Sequence, residues 1–329
     1  MQARPKHPHP ARRGRAPASC LAAALALAMT ACGASPQTGP ETGSGSGGTS
    51  SAPPASAASP TASPTAPPST QPPEEEFPAP GEKVPDDAAR LATALKETTA
   101  RLNDAIDAWT EGGAPTTGEP PEDVELPALY QQRLYRHAAR HPKLAARAFA
   151  RLPKALAAQA QDNTAAIREL LSLAHPIKPD AVFRTQRARP AGELLGHFKK
   201  AERRFGVEWE VLAAVMFAET KFGRVRSDSH VGAQGPMQFM PATWKAYGMG
   251  GDVRDPRDAV MGAANYLRAS GAPRDYRRAL HAYNPSQAYV RAILLHARQI
   301  KRDPRAYYAY YNWQVFVLTT KGERRLTGP

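Results

Sequence analysis

Between residues 86 and 175 leucine and alanine recur at steps of three and four, with arginine at the intervening positions. That is the spacing of helices that bury one stripe and wet the other. It predicts helices from Asp87 and across 126–158, broken at 112–121 by a Gly- and Pro-rich stretch. Further on, Leu194, Leu195, Phe198 and Ala201 predict a helix over 191–205. Val211, Leu212, Val215 and Met216 form another apolar stripe, and steps of four or seven from them land on Glu219. Glu208 and Glu210 favour the start of that helix, and Gly223 is expected to stop it in a left-handed conformation. Asp255 as N-cap, Pro256 at the first position and Asp258 start a helix that runs to Ala269 and ends at Gly271. A final helix is expected within 279–300, and the tail alternates around Lys321-Gly322 as a β-hairpin. The pattern is that of a mainly α chain.

Two readings of Glu219 fit this periodicity. It is either an exposed residue at a frayed helix end beside Lys221, or a carboxyl half sunk at the end of a greasy stripe. In the second case low dielectric and the negative helix end disfavour the anion, raise the pKa and keep a proton available near neutrality, as a general acid requires. Thirteen residues on, GAQGPMQFMPATW from Gly232 to Trp244 suits neither helix nor strand. Gly235-Pro236 suggests a sharp turn with Met237, Gln238 and Phe239 beside it, either lining a groove or filling the core.

These residues carry a resemblance. Glu219-Thr220-x-Phe222, then Gly232-Ala233-x-Gly235-Pro236-Met237-Gln238-Phe239-Met240-Pro241-x-Thr243-Trp244, then Ala282-Tyr283-Asn284 resemble the three signatures of the soluble-lytic-transglycosylase (SLT) branch of the lysozyme superfamily, over roughly residues 190 to 300. The resemblance implies a lysozyme-like catalytic domain. It implies Glu219 as catalytic acid and base, with Thr220, Gly235, Met237, Gln238, Phe239, Tyr283 and Asn284 at the saccharide, and Tyr283 as the phenol that orients the carboxylate. Thr220 stands where the family usually has Ser, Gly223-Arg224 replaces Asn-Pro, and Asn284 is followed by Pro285-Ser286, with a Tyr289-Val290 pair further on. The implied reaction is cleavage of peptidoglycan between N-acetylmuramic acid and N-acetylglucosamine to 1,6-anhydro ends, without metal or organic cofactor. Alternatives are hydrolysis on the same fold, with Asp228 or Asp252 positioning water, or a non-catalytic wall-binding protein.

Composition changes the picture mainly before residue 86. Lys6, Arg12, Arg13 and Arg15, an apolar run over 21–29 and small residues after it read as an export signal, too short to span a membrane permanently. Met29-Thr30-Ala31-Cys32 resembles a lipobox, which makes Cys32 a candidate lipidation site; simple secretion is the alternative. With two cysteines and Cys20 inside the signal, cleavage leaves Cys32 nothing to pair with. The Gly, Ser, Thr, Ala and Pro of 33–85 cannot bury enough surface to fold and read as a tether, roughly 40 Å long as a coil. The expected organisation is a signal peptide (1–31), tether (32–85), accessory helical region (86–185), catalytic domain (186–302) and hairpin extension (303–329), in an extracytoplasmic protein anchored to the membrane by lipid or secreted into the wall.

The net charge of +13 persists in excess basic residues beyond residue 200 and suits an anionic target. Nucleic acid also carries that charge, but no recognition motif is present and an export signal removes the partner. His137 and His141 share a helix face at a metal-ligand spacing without a third ligand, so a solvated face is expected there. Asp252, Asp255 and Asp258 do not match a calcium loop, and helix capping explains them more simply.

Overall fold

The computed structural model describes residues 78–111 and 118–326, which lie in one compact unit. The expected signal, Cys32 and the expected tether up to residue 77 lie outside the described residues; 78–85, also expected as tether, are described, and Val84 packs against the core. Among the described residues there are eleven helices and one two-stranded antiparallel hairpin.

Helix α1 (Ala88–Glu111) begins at Asp87, whose carboxylate accepts the backbone N–H groups of Ala89 and Arg90. It buries Leu91, Leu95, Leu102, Ile106 and Trp109. The stretch 126–158, expected as one helical run, is three pieces: α2 (Glu122–Arg140), α3 (Pro142–Phe149) and the start of α4 (Lys154–Leu171). Pro142 opens α3 at its first turn and Pro153 precedes α4. His141, before Pro142, is pushed out of the helical region (φ −120°, ψ 68°) and α2 stops there, whereas α3 ends at Phe149, ahead of Pro153.

The remaining helices are α5 (Ala191–Phe205), α6 (Trp209–Thr220), α7 (Pro241–Tyr247), α8 (Pro256–Ser270), α9 (Tyr276–Tyr283), α10 (Gln287–Arg302) and α11 (Arg305–Asn312). Helix α5 ends at Gly206, held at φ 68°. Helix α8 has the expected cap, Asp255 accepting from the Asp258 N–H, and stops at Gly271.

Helix α6 is the centre. Every residue from Val211 to Thr220 is buried, so it is apolar all round rather than amphipathic, and α5, α8, α10 and α11 pack about it. One hydrophobic core runs from Leu91 and Tyr135 in the N-terminal helices to Met216, Ile293 and Trp313. Polar contacts tie the same parts together. On α4, Glu169 takes the Arg291 fork at 2.7 Å on both branches, Asp162 takes Arg298 and Gln299, and Asn163 accepts the Tyr310 hydroxyl at 2.6 Å.

Strands β1 (Val315–Thr319) and β2 (Gly322–Leu326) pair with Thr319 opposite Gly322, a glycine at φ 108°. Trp313, Val315 and Val317 are buried, so the tail covers the core. Its Glu323 is held by Arg136 and Arg140 of α2.

Candidate active site

The last turn of α6 brings Glu219 to the edge of the core, where it is 5 % exposed. The helix then reverses through three consecutive left-handed residues, Lys221 (φ 51°), Phe222 (φ 60°) and Gly223 (φ 84°). The stop expected at Gly223 therefore begins two residues earlier. The Lys221 N–H donates to Phe217 O and the Phe222 N–H to Met216 O, which satisfies the helix's last carbonyls, and buried Phe222 anchors the turn. Two non-glycine residues in this region are strained by about 1–3 kcal/mol each, a cost borne only where packing fixes the backbone.

Thr220, fully buried, joins the helix to the next segment. Its hydroxyl donates to Pro236 O at 2.7 Å and accepts the Gly223 N–H at 2.9 Å. Residues 234–239 form a closed loop in which Gln234 and Phe239 exchange backbone hydrogen bonds at 2.9 and 2.8 Å, around a turn closed from Gln238 N–H to Gly235 O. Gly235 is obligatory here. Its φ is 72°, and a Cβ would stand 1.9 Å from the carbonyl oxygen of Val253. Gln238 is itself left-handed (φ 50°). Its amide N–H donates to Gly235 O, and its buried Oε1 has no protein partner.

Two phenols meet this framework. Tyr283, the last residue of α9, donates to Met237 O at 2.6 Å. Tyr289, in the first turn of α10, donates to Glu219 Oε1 at 2.6 Å. The hydrogen bond to Glu219 that the resemblance leads one to expect of Tyr283 is made by Tyr289, and the Tyr283 hydroxyl bonds the loop instead. The sequence carries a signal for this. Ser286 is the N-cap of α10 and accepts the Tyr289 N–H at 3.3 Å, so the departure at Pro285-Ser286 fixes the register that aims Tyr289.

The other expected saccharide contacts are mostly interior. Met237 and Phe239 are 0 % and 2 % exposed, and Asn284, at the C-terminal end of α9, is 3 % exposed. Phe239 packs edge-on against Trp244 and Tyr283.

Burial pushes the Glu219 carboxyl up to about 7, against the opposing pull of the Tyr289 hydrogen bond and the Lys221 charge. Burial and the nearby Glu219 charge raise both phenols well above their ordinary value, so they remain neutral donors. The arrangement is a carboxyl that keeps its proton to neutrality, one oxygen occupied by a phenol and the other left for an outside acceptor. Asp228 is held by both branches of the Arg254 guanidinium at 2.9 and 2.8 Å, and Asp252 accepts the Arg254 backbone N–H. Among the described residues no group of three His, Cys, Asp or Glu is placed to hold a metal, and no helix is long and apolar enough to cross a membrane. His141 Nδ1 lies 2.9 Å from His137 O, within its own helix end.

Residues 196–303 match the family described as Transglycosylase SLT domain. The membrane-bound lytic murein transglycosylase F of Thiobacillus denitrificans is 27% identical over 124 residues, covering 35% of this chain and 26% of that protein. This chain therefore matches about a quarter of that relative's length. No solved structure matches it. The match identifies 196–303 as an SLT-type transglycosylase domain.

Proposed function

We propose that this protein is a lytic transglycosylase that cleaves the β-1,4 bond between N-acetylmuramic acid and N-acetylglucosamine in peptidoglycan, with Glu219 as acid and then base. The observation that carries the reading is a buried carboxyl whose proton is kept to about pH 7, held by a phenol at 2.6 Å. With Oε1 occupied by Tyr289, Oε2 gives its proton to the glycosidic oxygen. The substrate's own acetamido group stabilises the developing cation. The resulting carboxylate then takes the proton of the same sugar's 6-hydroxyl, which attacks the anomeric carbon and closes the 1,6-anhydro ring. Acid and base are one residue, and the proton count balances.

Gln238 supports this reading through its unpartnered Oε1, an acceptor for a sugar amide or hydroxyl. Thr220, Gly235, Met237, Phe239, Tyr283 and Asn284 act by setting the loop's shape. A hydrolytic outcome needs a second carboxylate to orient water, and the Asp228 carboxylate is engaged by Arg254.

Lipidation of Cys32 and an extracytoplasmic tether to the membrane complete the proposal, with the glycan strand as partner. Mass spectrometry of wall digested by the purified protein tests the chemistry: anhydro ends are expected, and reducing ends contradict it. Glu219→Gln is expected to keep wall binding and release no fragments. Cys32→Ala is expected to move the protein from membrane to soluble fractions.

A further inference from the structure

On the side of α6 where Phe217, Ala218 and Lys221 emerge lies a half-open cavity of about 80 Å³ that the proposed reaction does not use. Glu219 is absent from its lining, which comes from α2, α4, the end of α6, α10 and β1. The walls are hydrocarbon, from Leu170, Leu171, Phe217, Phe316 and Leu318. Five polar side chains interrupt them: Gln132, Arg136, Lys221, His296 and Trp313.

Gln132 is taken up by the Gln314 backbone, whereas the imidazole and the indole lack partners. His296 is 0 % and Trp313 2 % exposed, yet neither His296 ring nitrogen nor Trp313 Nε1 makes a hydrogen bond. A buried donor left unpaired costs about 1–3 kcal/mol, which a bound acceptor relieves. Lys221 Nζ donates to Phe217 O at 3.0 Å and, among the described residues, to no carboxylate. Arg136, also in the lining, is already engaged by Glu323; burial and then the Arg136 charge bring the Lys221 amine down to about 7, against the opposing pull of the Glu219 charge.

The complement of a buried amine that hydrogen-bonds no carboxylate, buried N–H donors and apolar walls is a single carboxylate on a short hydrocarbon body. A free amino acid fits poorly, because its ammonium meets no carboxylate in the lining. A phosphate brings a second charge that the cavity does not answer. The space suits a body of a few carbons, water's own share being about 30 Å³.

We propose that this cavity is a binding site for a short apolar monocarboxylate, its headgroup on Lys221 Nζ and its hydrocarbon among Leu170, Phe217 and Phe316. The inference is independent of the reaction assigned to Glu219. Because Ala218 and Lys221 flank Glu219 in the chain, an occupant touches the helical turn that carries the acid.

Titration calorimetry of the full chain with 3-methylbutanoate is expected to give saturable one-to-one binding. Binding should be at least about tenfold tighter than that of 3-methylbutan-1-ol, 3-methylbutylammonium or acetate. Lys221→Met keeps the apolar stem and is expected to weaken binding by about tenfold or more. If that variant does not fold, the unaltered chain decides: 3-methylbutanoate should slow reductive methylation of Lys221, read by peptide mass spectrometry, and leave that of exposed Lys245 unchanged. Absence of saturable heat, equal binding of the alcohol, undiminished binding by a folded Lys221→Met, or no protection of Lys221 overturns the site.

Discussion

Burying Glu219 removes water from a carboxylate and returns one phenolic hydrogen bond, so the neutral acid is the form the fold prefers. Its folded value of about 7 lies above the 4.5 of the free side chain. The stability it contributes is therefore full below pH 4.5 and is lost as pH rises through 7, on the order of 3 kcal/mol by pH 8. Glu219→Gln has no charge to bury. It is expected to melt roughly 5–10 °C above the wild type at pH 8 and within a degree or so of it at pH 4; equal melting at pH 8 would contradict the burial argument.

The two tyrosines separate by the same logic. Tyr289→Phe removes a charge-assisted bond that stabilises the carboxylate, so turnover is expected to fall about ten- to a hundredfold and the alkaline limb of the pH profile to move upward. Tyr283→Phe frees the Met237 carbonyl and should leave that limb in place. The position of Glu219 in the last helical turn was legible from periodicity. Which phenol reaches it was not, because Tyr283 and Tyr289 flank the same short connection and only the Ser286 cap decides which one is aimed.

Among the elements, the junction of α6 with the 234–239 loop depends on one hydroxyl and one missing Cβ. Thr220→Ser keeps both hydrogen bonds, whereas Thr220→Val leaves Pro236 O and the Gly223 N–H unanswered inside the core. Chemical denaturation is expected to show Thr220→Val destabilised by about 2 kcal/mol or more, and Thr220→Ser by less than about 1. Gly235→Ala drives a methyl into Val253 O from a left-handed backbone and is expected to abolish activity before it abolishes folding. Helices α5 and α8 were readable from their apolar steps and caps. The joints at Pro142 and Pro153 were not drawn, although the prolines stood in the sequence, because the apolar stripe continues across them. Burial around the whole of α6 exceeds what its stripe implied, since neighbours on every side are contributed by segments far away in the chain.

Across the molecule, the N-terminal helices share their core with the helix that holds Tyr289. A chain beginning at residue 176 would expose the faces of α10 and α11 now covered by α1, α2 and α4. It is expected to be insoluble or to lack a cooperative thermal transition, while the longer chain unfolds in one step by calorimetry; a soluble, active fragment would contradict the shared core. The desolvation of Glu219 is thus a property of the assembled core, and it is measurable directly. Carbon-13 NMR titration of the glutamate side-chain carboxyls, with the Glu219 signal assigned by its loss in Glu219→Gln, should place the midpoint of Glu219 near pH 7. A midpoint near 4.5, the value of a carboxyl in open water, would contradict the account.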